Sequence, residues 1–422
     1  AQKKVLKEIR KDLGSNAQMN RLLQGDVGSG KTIVALLTML IALDNGFQAA
    51  LMAPTEILAT QHYNSLVELL EGLNISIKLL TGSTKIKERR IIHEQLENGE
   101  LNILIGTHAL IEDKVKFKNL GIAIIDEQHR FGVAQRSKMW QKNQLPPHVL
   151  VMTATPIPRS LALTAYGDMN ISTITEKPKG RKPIKTYVLP QSKIDDVLKS
   201  IKRAIANEAL IYWVCPLIEE SESTDLIAVN ERFDYLKNYF KDCNISLVHG
   251  KQDKIDRENS MNDFKNVKSK ILVATTVIEV GVDIPNATIM VIECAERFGL
   301  AQVHQLRGRV GRNDKESSCI LLYKTELTPI AHSRLKILKD TNDGFAISEQ
   351  DLILRGPGEV LGSKQSGNVD FKFVDLHVHS DLIELARKEA SNLIKNDKDH
   401  LKINTLLSIF ENNEAIKLLK GG

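Results

Sequence analysis

The stretch best equipped for chemistry is Gly25-Asp26-Val27-Gly28-Ser29-Gly30-Lys31-Thr32, which fits the spacing GxxxxGK[ST] in full. Its glycines let successive backbone N–H groups wrap around phosphate oxygens. An apolar run precedes it and an apolar helical stretch follows, so the loop falls at a helix N-terminus, where partial positive charge favours anions. In that setting Lys31 reaches the β- and γ-phosphates of a bound ATP, and the Thr32 hydroxyl ligates Mg²⁺.

Two further groups complete a reaction. Asp126 and Glu127 follow the apolar run Gly121–Ile125 and precede Gln128 and His129. Asp126 would hold Mg²⁺, usually through water. Glu127 would orient and deprotonate the attacking water, so the expected reaction is hydrolysis of ATP. His129 has no metal-ligand partner at suitable spacing nearby. Arg309 and Arg312, three apart in His304-Gln305-Leu306-Arg307-Gly308-Arg309-Val310-Gly311-Arg312, are expected to share one face of a helix-like segment. Guanidinium forks suit phosphate oxygens. Supplied from a second domain, they would speed phosphoryl transfer by about 10³–10⁵. ATP would then sit in a cleft whose closure is coupled to hydrolysis.

Elements able to position these residues are legible as apolar runs alternating with stretches of helical period. Expected strands in the first half are 21–25, 48–53, 102–107, 121–126 and 148–153, with helices at 32–44, 55–71 and 85–97. Runs without polar alternation point to strands buried on both faces, and therefore to parallel sheets. After a Pro- and Lys-rich linker at 176–183 the alternation restarts, with strands at 185–189, 209–215, 245–249, 270–275, 288–293 and 318–323. The fold class is α/β: two tandem parallel-sheet domains, 1–180 and 181–334, and a mainly helical region, 335–422. That last region holds a Gly-rich loop at 355–367 and helices near 381–396 and 401–419.

Composition fits this plan. The 422 residues suit two or three domains. The charged fraction of 26% and apolar fraction of 42% exclude a disordered or collagen-like chain. A net charge of +5 permits a nucleic-acid partner without requiring one. Cys215, Cys243, Cys294 and Cys319 form no CxxC pair and read as small apolar residues of a reducing compartment. Trp140 and Trp213 read as packing residues. The apolar run Val34–Leu43 is about half of what a membrane span needs.

The ordered set GDVGSGKT (25–32), APTEILATQH (53–62), GTHAL (106–110), DEQH (126–129), TATPIPR (153–159), LVHGK (247–251), ATTVIEVGVDIP (274–285) and QLRGRVGR (305–312) resembles a superfamily 2 helicase. The resemblance implies two RecA-like P-loop domains. It assigns ATP binding to Gly25 through Thr32, and adenine reading to Gln2. Gly281 and Asp283 would contact nucleotide or nucleic acid, and Arg309 and Arg312 would be the fingers. Gln128, His129, Thr153, Thr155 and Gln305 would couple the two domains.

Residues 341–367, with LRGPGE at 354–359, resemble the translocation motif shared by RecG and the transcription-repair coupling factor, and DEQHRFG at 126–132 is closer to RecG. Ser363-Lys364 stands where that family often has Thr-Arg. The resemblance implies a helical hairpin feeding a loop that passes ATP-driven motion to duplex DNA, with Arg334, Arg355 and Gln365 at the matching positions. The expectation is a monomeric, cytoplasmic, nucleoid-associated bacterial motor that remodels forks and Holliday junctions in recombination and repair. Its candidate partner besides branched duplex DNA is a single-stranded DNA-binding protein. The sequence opens one residue before Gln2, so the OB-fold-like wedge of that family is expected to be missing. An RNA helicase, a transcription-repair coupling motor and a wedge-less remnant that binds DNA and hydrolyses ATP without unwinding are the alternatives.

Overall fold

The computed structural model describes residues 1–127, 146–157, 169–176, 182–216, 222–275, 284, 286–324, 326–355, 379, 382–397 and 401–409. Gln128, His129, Trp140, Gly281, Asp283 and Gln365 lie outside these residues, and for Arg355 only the backbone is described.

The first unit opens with helix α1 (Gln2–Leu13), strand β1 (Asn20–Gly25), α2 (Lys31–Asp44), β2 (Gln48–Met52), α3 (Glu56–Leu69), β3 (Ile77–Leu80) and α4 (Ile86–Asn98). Strands β4 (Ile103–Gly106), β5 (Leu120–Asp126), β6 (His148–Thr153) and β7 (Asn170–Ile174) complete it. All neighbours pair in parallel, in the order β3-β4-β2-β5-β6-β1-β7. The central strands β2, β4 and β5 are buried along their whole length, as continuous apolar runs require. The two strands without a continuous apolar run, β3 and β7, are the sheet's edges, where residues such as Lys78 and Asn170 meet solvent.

The second unit follows the same logic. It comprises β8 (Lys185–Pro190), α5 (Ile194–Ala206), β9 (Leu210–Val214), α6 (Glu222–Tyr239), β10 (Ile245–Val248), α7 (Lys254–Lys265), β11 (Ile271–Ala274), β12 (Ala287–Ile292), α8 (Leu300–Arg307) and β13 (Ser318–Tyr323). Its parallel order is β10-β11-β9-β12-β13-β8. Trp213 is fully buried and donates its indole N–H to Glu293, which also accepts from Arg232 Nε at 2.6 Å. Burial pushes the Cys319 thiol up to about 12 and Cys215 well above its ordinary value, so both behave as core atoms rather than nucleophiles.

Two expectations are corrected. Helix α8 ends at Arg307, so Arg309 and Arg312 lie in the turn beyond it rather than on a helical face. Gly308 closes the helix and Gly311, at φ +71°, bends the chain away. Arg355, expected in the Gly-rich loop, is the last residue of a helix. Beyond β13 run α9 (Pro329–Asp340), which crosses the expected 334/335 boundary, α10 (Gly344–Arg355), α11 (Leu382–Asn396) and α12 (Leu401–Ile409). No helix among the described residues is long and apolar enough to cross a membrane.

Phe264 is the one fully buried side chain described on α7, and its ring meets Tyr212 of β9 edge-on with centroids 5.1 Å apart. Phe264→Ala should therefore unseat α7 and lower the stability of this unit by about 3–5 kcal/mol. A denaturant midpoint equal to that of the parent would contradict that anchoring role.

Candidate active site

Strand register assembles the site. β5, β6 and β1 are neighbours, and pairing of Asp126 with Met152 and of Gln24 with Thr153 brings their carboxyl ends level. Gly25, Asp126 and Thr153 thus emerge side by side at the edge where ligands of open α/β sheets bind. The phosphate loop bridges β1 and α2, with Gly28 at φ +78° and Gly30 at φ +86°. A side chain at Gly30 would also run into the Gln2 amide. Gln2, on the first turn of α1, donates Nε2 to the Ser29 carbonyl at 3.0 Å. Lys31 Nζ donates to the carbonyls of Gly25 at 2.7 Å and Asp26 at 3.1 Å.

Electrostatics are set by burial and close opposite charges. Burial pulls the Lys31 ammonium below its ordinary value, against the attraction of Glu127, Asp126 and Asp26, and Arg312 adds to the lowering. At Asp126 burial pushes the carboxyl up. The hydrogen bond from His62 Nε2 at 2.8 Å and the attraction of His62 and Lys31 outweigh it and hold the carboxyl below its ordinary value.

Glu127 adopts φ +52°, a left-handed conformation uncommon for a residue with a side chain. Its N–H donates to the Met152 carbonyl at 2.9 Å. Its carboxylate accepts from Ala154 N at 3.0 Å and from Thr153 Oγ1 at 3.4 Å. Thr155 Oγ1 in turn accepts from Gln305 Nε2 of the second unit at 2.8 Å. A cavity of about 440 Å³ lies between the units, lined by Lys31, Thr32, Asp126 and Glu127 from the first and Gln305, Arg309 and Arg312 from the second. Despite lying beyond the helix, the two arginines thus face one space. Arg334 stands apart, half-buried on α9, its Nε without a hydrogen-bond partner among the described residues.

Two residues join the site that the motif spacing did not single out. His62 reaches Asp126 because β2, which leads into α3, lies beside β5, and strand adjacency is not written in the chain's linear order. Lys265, at the end of α7, lines the same cavity.

Paired parallel sheets with a phosphate loop on one and arginines from the other define a two-domain helicase core. Three family models match: DEAD/DEAH box helicase over residues 1–164, helicase conserved C-terminal domain over 193–314, and ATP-dependent DNA helicase RecG, domain 3, C-terminal, over 341–411. The ATP-dependent DNA helicase RecG of Synechocystis sp. is 50% identical over 94% of this chain and 48% of its own length. That of Bacillus subtilis is 49% identical over 94% of this chain and 58% of its own. A structure of RecG bound to a three-way DNA junction superposes with a TM-score of 0.74 at 44% identity, covering 91% of this chain and 50% of that one. The chain belongs to the RecG family, and it spans about half the length of the curated relatives it matches.

The Asp126 environment gives a measurable expectation. Its folded-state value lies below the unfolded one, so its stabilising contribution is fully present above the unfolded value and is lost as pH falls through the folded one. His62→Ala removes the largest of the contacts that oppose burial, leaving Lys31, and the Asp126 carboxyl should titrate at higher pH, read by carbon NMR of the labelled carboxyl. An unmoved titration would show that His62 does not hold it.

Proposed function

We propose that this chain hydrolyses ATP at the cleft between its two sheets and converts the cycle into movement along duplex DNA, remodelling branched structures such as stalled forks and Holliday junctions. The observation that carries the reading is the cavity where Lys31, Asp126 and Glu127 meet Arg309 and Arg312 from the opposite unit. Cations and carboxylates drawn from two separate sheets into one space are what a bridging, highly charged ligand such as ATP requires.

The residues present fit Mg²⁺ and ATP. Ser29 Oγ is buried without a partner among the described residues, the glycines leave the loop open to phosphate oxygens, and Thr32 and Asp126 line the same cavity. Thr32 and Asp126 would hold Mg²⁺, which neutralises charge on the phosphates when bound. Lys31 would exchange its loop carbonyls for phosphate oxygens. Glu127, already anchored by Ala154 and Thr153, would orient the attacking water and take its proton. Arg309 and Arg312 would stabilise charge on the transferring phosphoryl group, which ties hydrolysis to closure of the units. Gln2 would read adenine while bracing the loop through Ser29. The Thr155–Gln305 hydrogen bond joins the general base to the second unit and suits the coupling role of both residues. Arg334, Arg355 and Gln365 would pass the motion to DNA, and the junction-bound RecG structure supports branched DNA as the partner.

Lys31→Ala should abolish ATP hydrolysis and leave DNA binding in place. Arg309→Ala should reduce the hydrolysis rate by about 10³–10⁵. The decisive measurement is phosphate release by the full chain with and without forked duplex DNA: absence of DNA-stimulated hydrolysis overturns the reading.

A further inference from the structure

Beside the nucleotide cavity lies a second, smaller space of about 120 Å³, lined by Asp26, His304, Arg307 and Asn342 among others. Here the phosphate loop touches the second unit by a route that uses neither arginine finger. His304 Nε2 donates to Asp26 Oδ1 at 2.9 Å, and His304 Nδ1 lies 3.0 Å from Arg307 Nη2. An arginine has donors only, so Nδ1 is the acceptor and Nε2 carries the hydrogen that Asp26 accepts. The ring therefore links the two charged residues in one defined tautomer.

Arg307 is 2% exposed although it carries a full charge. Its Nη1 donates to the carbonyl of Leu338 at 2.8 Å and to that of Thr341 at 2.9 Å. Those carbonyls belong to the last turn and cap of α9, where a helix leaves acceptors unfilled and where the dipole favours a cation. Two residues beyond Asn342 begins α10. A Cβ on Gly344, its first residue, would lie 2.6 Å from His304 Nε2 and 2.9 Å from Pro156 Cγ. The start of α10 is thus seated directly on the imidazole and on the segment that anchors Glu127.

We propose that His304 and Arg307 are positioning residues that carry the arrangement of the phosphate loop to α10, and so to the helix that ends at Arg355. The proposal rests on the reading that ATP occupies the loop. Phosphate oxygens entering the loop repel the Asp26 carboxylate and shift the backbone that bears it. His304 moves with its acceptor, Arg307 turns with His304, and the carbonyls of Leu338 and Thr341 follow the guanidinium. Hydrogen bonds to charged groups largely withdrawn from water transmit such a shift because breaking one leaves a charge unsatisfied. This line shares α8 with the Glu127–Thr153–Thr155–Gln305 line, but it begins at the loop rather than at the general base, and it continues past α8 to α10.

Hydrogen–deuterium exchange of the full chain, with and without AMP-PNP and Mg²⁺, tests it. In the parent protein the analogue should slow exchange both in the loop amides 26–32 and in the α10 amides 344–355. His304→Gln keeps one donor and one acceptor and should preserve both responses. His304→Leu should keep the loop response and lose the α10 response. Arg307→Met, which leaves the Asp26–His304 contact in place but removes the donors to the carbonyls of Leu338 and Thr341, should do the same, and it carries the test if the leucine variant does not fold. An α10 response of parental size in a folded His304→Leu or Arg307→Met protein overturns the proposal, as does an α10 that ignores the analogue in the parent. Absence of the loop response in the parent instead overturns the ATP reading beneath it.

Discussion

Everything in the cleft between the two units depends on the parallel register of three adjacent strands, β5, β6 and β1. Parallel pairing sends all three carboxyl ends to one edge, and a one-residue slip would turn each strand's buried set to the opposite face. The polar residues that follow the strands are positioned by nothing more exotic than the apolar residues inside them. Ile122, Ile124, Leu150 and Leu23 pack one face, and Ala123, Ile125, Val151 and Leu22 pack the other. Two cores thus clamp one sheet, and the placement of Asp126 beside Gly25 and Thr153 follows.

Within that frame the site is a balance of charges, of which Asp126 is buried and Lys31, Asp26 and Glu127 are part-buried. Lys31 is surrounded by Asp26, Asp126 and Glu127, and each of these also has a partner of its own: Val27 N–H for Asp26, His62 for Asp126, the Thr153–Ala154 segment for Glu127. The partners matter because an uncompensated charge at such depth costs several kcal/mol. They also give the carboxylates fixed directions before any ligand arrives, which is the condition for electrostatic catalysis. Holding Glu127 at φ +52° costs on the order of 1–3 kcal/mol, and the Met152 and Ala154 hydrogen bonds oppose that strain.

Legibility from sequence followed the same physics. Strands buried on both faces announced themselves as unbroken apolar runs, so β1, β2, β4, β5 and β6 could be located to within a residue or two at each end. The edges β3 and β7 could not, because a half-exposed strand such as Ile77–Leu80 or Asn170–Ile174 carries mixed polarity over too few residues to show a period. The phosphate loop, Asp126 and Glu127 were legible because their chemistry demands contiguous residues. His62, Lys265 and the Asp26–His304 contact were not, since each joins segments that only tertiary structure makes neighbours. The arginines were read onto a helical face by spacing alone. Glycines 308 and 311 ended that helix first, yet the turn still delivers both guanidinium groups to one cavity.

Helix α9 has a bearing on how this architecture can vary. It runs unbroken across the point where the second unit would end by sequence pattern, and its Leu335 and Leu338, with Ile347 of α10, belong to the same buried cluster as Leu272, Met290 and Leu321 of the second sheet. Leu335, Leu338 and Ile347 thus make α9 and α10 part of the second unit's own core, so a substitution that loosens their seat loosens the sheet as well, and neither helix can be removed without opening that core to water.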